Sequence, residues 1–317
     1  MPTILILQES MHGISSETCL ETVRELAPEY DVEHAGTPSE ERALISEAEI
    51  VVGGRFREEL LEQADQLKLF ACCWAGVDHL NLDAMADRGI TVTNAAGVHG
   101  PNISEHVLGW FLMLTRRLDE GIRRQDRNEW RHFQAFGEFE GSRVCIVGLG
   151  AIGQAIVDRL AGFNVETMGV RYSPEKGGPT DEVYGFDDLP DALAGVEYVA
   201  IAAPLTDATR GLFSRPEFET LPPNAILANV GRGPIVDTDD LVWALRSNRL
   251  HAACLDVTDP EPLPADHPLW DLGNAYITPH NAGHTPYYWD RVAEILARNL
   301  ERVAETGAYN DLENQVN

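Results

Sequence analysis

The feature that constrains the fold most is an apolar run that ends in a glycine-rich turn and continues as an apolar-periodic helix pattern. The turn has the G-x-G-x-x-G spacing, with Gly148, Gly150 and Gly153. The first glycine lets the strand turn sharply, the second lets a pyrophosphate approach the backbone, and the third lets the helix pack closely on the strand. Phosphates then bind the free N–H groups at the positive end of the helix. Because a strand precedes this turn and a helix follows it, the sequence predicts a dinucleotide site that includes Ala151 and Ile152; a tight turn without a ligand is the alternative.

The length and the alternating patterns predict two domains. Buried strand patterns alternate with helix patterns over the first 100 of the 317 residues, and six further strand candidates follow between 144 and 277. Strands that are separated by helices form parallel sheets. The predicted fold is therefore α/β, with two doubly wound parallel-sheet domains and a cleft between them. Residues 1–100 plus 286–317 form the predicted flavodoxin-like substrate domain, and residues 101–285 form the predicted Rossmann-like cofactor domain.

A long apolar helix and an aromatic segment follow the crossing into the second domain. Asn102 and Glu105 have the spacing of a capping-box-like helix start, and the pair Arg116 and Arg117 suits the helix C-terminus. This helix is apolar nearly all round, which is typical of a helix buried against another element or subunit. The segment 125–140 carries the aromatics Trp130, Phe133, Phe136 and Phe139. Together these features predict a homodimer contact, with packing on the same domain as the alternative.

The charge balance excludes some classes of partner. The chain has 51 acidic and 24 basic residues, a net charge of −27, and its only lysines are Lys68 and Lys176. Such a surface would repel nucleic acid. It resembles the surfaces of halophilic archaeal proteins, for which concentrated salt screens the charges. An acidic mesophilic enzyme is the alternative.

Two absences predict the compartment. No apolar run reaches the ~18 residues of a membrane span, and no basic–apolar leader opens the chain, so we expect a cytoplasmic protein with no membrane partner. Five cysteines without metal-ligand spacing predict no metal site. Four of them lie in apolar runs and are interpreted as small buried hydrophobes: Cys72, Cys73, Cys145 and Cys254.

The end of the second strand of the cofactor domain predicts which dinucleotide binds. An acidic residue about 20 positions beyond the glycines takes the ribose 2′-OH of NAD. Arg171 stands there, 18 residues beyond Gly153, and is followed by Tyr172 and Ser173. An arginine pairs with a 2′-phosphate in a two-pronged way. The sequence therefore predicts NADP(H) as the preferred cofactor with NAD(H) tolerated; a surface arginine is the alternative.

Three segments after later strands carry reactive groups. Arg232 follows a strand between two glycines, where a guanidinium can hold a carboxylate or polarise a carbonyl. Glu261 lies between Pro260 and Pro262, and His280 follows the last strand. A carboxylate beside a histidine favours the protonated ring, which suits a general acid that protonates a carbonyl oxygen. Taken singly, each residue has a structural alternative: a surface charge, a loop acid and a hydrogen-bonded histidine.

These segments resemble the D-isomer-specific 2-hydroxyacid dehydrogenases. The glycine turn, Asn229 to Gly233, Asp256 to Pro262 and Thr278 to His280 occur in that family's order, and the segment Gly76 to Asp78 matches in the first domain. The resemblance implies a catalytic triad of Arg232, Glu261 and His280. It also implies a dimer formed through the long apolar helix and the aromatic segment 125–140, and it places Asp256 against the nicotinamide carboxamide. It implies that the cofactor is also lined by Ala203, Pro204, Leu205, Val230, Gly231, Arg232, His280, Ala282 and Gly283. Because no regulatory domain follows the cofactor domain, a role like that of phosphoglycerate dehydrogenase is less expected.

The same resemblance implies reduction of a 2-ketoacid to a D-2-hydroxyacid. The substrate carboxylate would bind the N–H groups around Gly76 and Val77, and His280 and Arg232 would face the substrate. Side-chain candidates for the pocket are Arg55, Trp74, Ala75, Tyr287, Tyr288 and Trp289. Two alternatives stay open: a glyoxylate or hydroxypyruvate reductase, and a cofactor-sensing, corepressor-like binding protein.

Overall fold

The computed structural model describes residues 2–133 and 135–317. Contacts within the chain divide it into two units. One comprises the residues up to His99 together with His284–Asn317, and the other comprises Gly100–Gly283. The sequence had predicted the boundaries after residues 100 and 285. Among the described residues, none of the helices combines the length and the apolarity that a membrane crossing requires.

The first unit begins with a βαβ alternation. Its strands are β1 (Thr3–Ile6), β2 (Ser10–Met11), β3 (Ile14–Ser15), β4 (Asp31–His34), β5 (Ile50–Gly53), β6 (Leu69–Cys72) and β7 (Thr91–Thr93). Its helices up to that point are α1 (Glu17–Leu26), α2 (Pro38–Leu44), α3 (Glu58–Leu61) and α4 (Leu82–Ala86), with a 3-10 turn at Ile45–Glu47. The order of the main sheet is β4-β1-β5-β6-β7, all parallel. This is the doubly wound order of flavodoxin-like folds.

The second unit carries the longer sheet. Its helices are α5 (Gly100–Thr115), α6 (Leu118–Gln125), α7 (Ala151–Leu160), α8 (Leu189–Leu193), α9 (Arg215–Thr220) and α10 (Thr238–Arg246). Its strands are β8 (Arg143–Val147), β9 (Glu166–Val170), β10 (Glu182–Tyr184), β11 (Tyr198–Ile201), β12 (Ile226–Asn229), β13 (Ala252–Leu255) and β14 (Ala275–Ile277). Short 3-10 turns lie at Ala161–Phe163, Pro174–Lys176, Gly233–Ile235 and Pro268–Asp271.

The strand order of this sheet confirms the Rossmann-like prediction. The order is β10-β9-β8-β11-β12-β13-β14, all parallel, which is the dinucleotide-binding order with one additional edge strand. The register aligns the last residues of the central strands: Val147 lies opposite Val170 on one side and Ile201 on the other. The row continues through Asn229, Leu255 and Ile277. All the loops that begin after this row therefore start at one edge of the sheet.

The chain then returns to the first unit through α11 (Tyr288–Thr306). Its apolar face packs beside α1, and Trp289 is buried with its indole N–H donating to the carbonyl oxygen of Ile14 at 3.0 Å. The five cysteines of the chain are all buried free thiols, as the sequence predicted for Cys72, Cys73, Cys145 and Cys254.

Two local predictions were wrong. The short edge strand β10 was missed because only three residues of it pair, and two of those are half-exposed. The helix predicted to start at a cap on Asn102 instead begins at Gly100, so Asn102 lies inside its first turn. Arg116 and Arg117 directly follow Thr115, the last residue of α5, and Arg117 adopts a left-handed conformation, φ 50°, before α6 begins.

The turn after β8 yields a test of backbone packing. Gly148 has φ +100°, and a Cβ added there would lie 2.6 Å from the backbone nitrogen of Ala203. We expect Gly148→Ala to lower the free energy of unfolding by about 3 kcal/mol, because conformational strain and overpacking add. Gly211→Ala is the matched control, since Gly211 also has a positive φ, +63°, but no atom lies within 4 Å of its added Cβ. Equal urea midpoints for the two variants would show that the close approach to Ala203 has no energetic weight.

Candidate active site

The glycine turn leaves room for a pyrophosphate. A Cβ on Gly153 would lie 1.9 Å from the carbonyl oxygen of Gly148, so only glycine allows α7 to approach β8 this closely. Gly150 faces open space, with no atom within 4 Å of an added Cβ. Ala151 and Ile152 form the first turn of α7, where the helix offers its free N–H groups. These observations fit a dinucleotide at this turn.

A cavity of about 690 Å³ extends from this turn. Its lining includes Gly148 and Gly150, the predicted residues Arg171, Tyr172 and Ser173, and Ala203 and Pro204 after β11. The Arg171 guanidinium donates to the carbonyl oxygen of Gly177 at 2.7 Å. The cavity also takes in Lys176, one of the two lysines of the chain, which the sequence analysis left without a role. Two cationic side chains therefore line the cavity near the end of β9.

His280 and Glu261, which the resemblance places together, are in contact. Nδ1 of His280 lies 2.5 Å from Oε1 of Glu261, and each side chain remains partly exposed. The His280 backbone has φ 52°, and its N–H donates to the carbonyl oxygen of Asp256 at 2.9 Å. The peptide bonds before Pro260 and Pro262 are both cis. A cavity of about 390 Å³ adjoins the pair. The contact through Nδ1 leaves the Nε2 side of the ring for another partner.

Asp256 organises the loop that carries His280. The residue is 4% exposed, and its carboxylate accepts hydrogen bonds from the Thr278 hydroxyl at 2.5 Å and from the N–H groups of Asn281 and Ala282, each at 3.0 Å. Asp256 also lines the cavity beside the acid–base pair. The resemblance implies only a contact of Asp256 with the nicotinamide, and these hydrogen bonds show that its carboxylate also holds the loop in place.

Arg232 lies in a turn that is fixed by a buried amide. The side-chain oxygen of Asn229 accepts the N–H of Gly231 at 3.0 Å, and its amide nitrogen donates to the carbonyl oxygen of Arg232 at 3.1 Å. Val230 and Gly231 are buried, whereas the Arg232 side chain is exposed and donates to the carbonyl oxygen of Gly231 at 2.7 Å. Arg232 lines neither of the two cavities described above.

The first unit has its own group of free donors after β6. The N–H groups of Gly76 and Val77 have no hydrogen-bond acceptor within residues 2–133 and 135–317. In the same part of the chain, the buried indole nitrogen of Trp74 also lacks a partner, and the Arg55 guanidinium lies 5.4 Å from the Trp74 ring centre. The carbonyl oxygen of Ala75 accepts the Asn94 amide at 2.8 Å. Exposed N–H groups of this kind suit a carboxylate.

Two of the pocket candidates are core residues. Tyr288 was predicted to contact the substrate, but it is fully buried in the first unit and its hydroxyl donates to the carbonyl oxygen of Cys73. Trp289 is buried beside it. The prediction for these two side chains is therefore wrong, because they lie on the apolar face of α11. Tyr287, just before the helix, is 60% exposed.

The remaining cofactor candidates lie around the same edge. Ala282 is buried, and its carbonyl oxygen accepts the Asn102 side chain; Gly283 ends the second unit. Leu205 follows Pro204 and packs against the core. No individual role was predicted for Thr278, Asn229 or Lys176, which the structure places in the His280 loop, in the Arg232 turn and in the cavity of the glycine turn. Thr278 directly precedes Pro279 and His280, so a hydroxyl next to a reactive histidine was the available signal.

A dinucleotide turn and a histidine–carboxylate pair at one edge of a Rossmann-like sheet define a nicotinamide-dependent oxidoreductase. The profile described as D-isomer specific 2-hydroxyacid dehydrogenase, NAD binding domain, matches residues 108–282. A glyoxylate reductase of Thermofilum pendens is 34% identical over 250 residues, which cover 76% of this chain and 73% of that protein. The human glyoxylate reductase/hydroxypyruvate reductase is 35% identical over 242 residues, 74% of this chain and 73% of that one.

Solved structures agree over the whole chain. A D-isomer specific 2-hydroxyacid dehydrogenase family protein from Aeromonas salmonicida is 35% identical, with a TM-score of 0.80 and coverage of 100% of this chain and 99% of that one. A relative from Xanthobacter autotrophicus, crystallised with NADPH and MES, is 28% identical, with a TM-score of 0.79 and coverage of 100% and 98%. The chain belongs to the D-isomer-specific 2-hydroxyacid dehydrogenase family.

Proposed function

We propose that this protein reduces short 2-ketoacids with NADPH as the preferred cofactor and with Arg232, Glu261 and His280 as its catalytic residues. The observation that carries the proposal is the 2.5 Å contact between Nδ1 of His280 and Oε1 of Glu261, in the unit that holds the dinucleotide cavity. A cofactor sensor would need the cavity and not this pair, so the pair favours an enzyme.

A nicotinamide cofactor held at the glycine turn by Gly148, Gly150 and the first turn of α7 would supply hydride for the carbonyl carbon. Glu261 holds the proton on Nδ1 of His280 and stabilises the charged ring, so that Nε2 donates a proton to the carbonyl oxygen. Arg232 orients the carboxylate or polarises the carbonyl, in the manner of other guanidinium clamps. The free N–H groups of Gly76 and Val77 hold the substrate carboxylate.

The names of the relatives narrow the choice of substrate. The proteins from Thermofilum pendens and human carry the names glyoxylate reductase and glyoxylate reductase/hydroxypyruvate reductase. We therefore expect kcat/KM to be higher for glyoxylate and hydroxypyruvate than for longer 2-ketoacids. A panel with pyruvate, glyoxylate, hydroxypyruvate and branched 2-ketoacids, followed by NADPH absorbance, orders them by kcat/KM.

The basic lining after β9 supports the preference for NADPH. Arg171 and Lys176 supply two positive charges, Ser173 supplies a hydroxyl, and all three line the cavity of the glycine turn. Charge-assisted bonds of this type suit a phosphate better than a ribose hydroxyl. The Xanthobacter autotrophicus relative is a protein crystallised with NADPH.

We further propose a homodimer from an organism with concentrated cytoplasmic salt. The net charge of −27 fits such a cytoplasm. Leu118, Ile122, Trp130 and Phe136 are each more than half exposed, and Trp130 is completely exposed. Exposed apolar side chains of this kind, on α6 and on the aromatic segment 125–140 that follows it, are typical of a surface that binds a second copy of the chain.

Removing the acid–base pair tests the mechanism. We expect His280→Gln to lower kcat by about 1000-fold and Glu261→Gln by about 100-fold, because general acid–base catalysis contributes in this range. The dissociation constant for NADPH, measured by fluorescence, should change little in Glu261→Gln. The exposed Asp266 in the same loop region gives the control, Asp266→Asn, which should retain full turnover. Wild-type turnover in His280→Gln would reject the assigned role.

Removing the guanidinium of Arg171 tests the cofactor preference. We expect Arg171→Ala to lower kcat/KM for NADPH about 10- to 100-fold and to leave the value for NADH nearly unchanged, since only the phosphate loses a charged partner. The control is Arg246→Ala, at the end of α10, which lines neither cavity. A wild-type enzyme that prefers NADH would contradict the assignment before any variant is made.

Salt should control assembly and activity together. At 3 M KCl we expect an active species of twice 35.0 kDa in sedimentation velocity. In dilute buffer the acidic subunits repel one another over a longer screening length, about 10 Å at 0.1 M compared with about 3 Å at 1 M, so mass and activity should fall together. Full activity in dilute buffer would contradict the adaptation to salt, and a monomer at every KCl concentration would contradict the dimer.

A further inference from the structure

One face of α5 contacts the loop that carries His280 at two points. Asn102 and His106 are four residues apart on this helix and therefore lie on the same side of it. The Asn102 amide donates to the carbonyl oxygen of Ala282 at 2.9 Å, and Nε2 of His106 lies 3.3 Å from Oγ1 of Thr278. One contact precedes the reactive histidine by two residues and the other follows it by two. The helix thus holds both arms of the turn.

The hydrogen bond between His106 and Thr278 has a defined direction. The Thr278 hydroxyl has one hydrogen, which it donates to the Asp256 carboxylate at 2.5 Å. Its oxygen must then accept from His106, so the ring carries its hydrogen on Nε2. The resulting chain runs from His106 through Thr278 to Asp256, which in turn accepts the N–H groups of the residues after His280.

The surroundings of His106 favour a neutral ring with one N–H. The side chain is half-buried, and the Trp110 ring packs edge-on against it, with 4.2 Å between the two ring centroids. Burial lowers the pKa of His106 below its ordinary value, and the Asp256 carboxylate opposes this change. A neutral imidazole has a single donor, and here that donor is used on Thr278.

We propose that His106 and Asn102 are positioning residues for the reductase reaction, which hold the His280 turn on α5 so that its ring is aimed at the carbonyl oxygen. The proposal rests on the proposed function of His280. Neither residue needs to touch the substrate. A displacement of a catalytic group by about 1 Å can cost up to about 100-fold in rate, so two small anchors can have a large effect on kcat.

The first experiment separates the donor from the bulk of the ring. We expect His106→Leu to lower kcat about tenfold while KM for the 2-ketoacid and for NADPH changes less than about twofold, because alignment rather than binding is lost. His106→Gln places an amide donor near the position of Nε2 and should restore kcat to within about threefold of the wild type. His251→Leu, at an exposed position of the same unit, controls for the loss of a histidine.

A second variant tests the route through Thr278. Thr278→Val should lower kcat to a similar extent, and adding His106→Leu to it should cause little further loss, since the two side chains form one chain of hydrogen bonds. Additive losses would overturn the proposed route. Equal loss in the Leu and Gln variants would also overturn the proposal, because the effect would then be one of packing.

A readout that does not depend on turnover separates this proposal from the function of the enzyme. In histidine-selective 15N spectra, the Nδ1 proton of His280 is identified by its disappearance in His280→Gln. We expect its signal to shift or broaden in His106→Leu and to return in His106→Gln. An unchanged signal in His106→Leu overturns the positioning role. A shifted signal in a protein that reduces no 2-ketoacid would sustain the positioning role and reject the proposed function.

Discussion

The parallel pairing of one seven-stranded sheet is the constraint on which the second unit depends. Because the strands run in one direction and their last residues are aligned, the loops that follow them all begin at one edge. The glycine turn follows β8, the basic segment follows β9, Asp256 follows β13, and the segment leading to His280 follows β14. Residues that are far apart in the sequence therefore lie near one edge of the sheet, because the strand order and the common strand direction place them there.

Much of this arrangement could be predicted from the sequence, and the reasons for the failures are physical. The strands next to the glycine turn and next to His280 are apolar runs, so their positions follow from pattern and spacing, whereas the contact between His280 and Glu261 was expected from the resemblance to the dehydrogenase family. The prediction that Tyr288 contacts the substrate was wrong, because closeness in sequence to His280 does not determine the side of a helix on which a ring lies. Hydrogen bonds between distant segments, such as His106 to Thr278, leave no periodic signal.

The charge of the chain and the chemistry of its site act in opposite directions. A chain with 51 acidic and 24 basic residues has a negative field that repels a cofactor with several phosphates. Arg171 and Lys176 line the cavity of the glycine turn and supply positive charge where the field of the whole molecule does not. With only two lysines in the sequence, the placement of one of them in this lining is a local exception to the overall composition.

The burial of every thiol has a practical consequence. Burial raises the pKa of Cys145 to about 12 and that of Cys19 to about 12, so at neutral pH these sulfurs carry almost no thiolate, the form that alkylating and oxidising reagents attack. Cys72, Cys73 and Cys254 are buried as well. The native thiols should therefore not react with maleimides in the folded protein. A single cysteine introduced on α6 or on the exposed side of α11 would carry a fluorophore or spin label without prior removal of the natural cysteines.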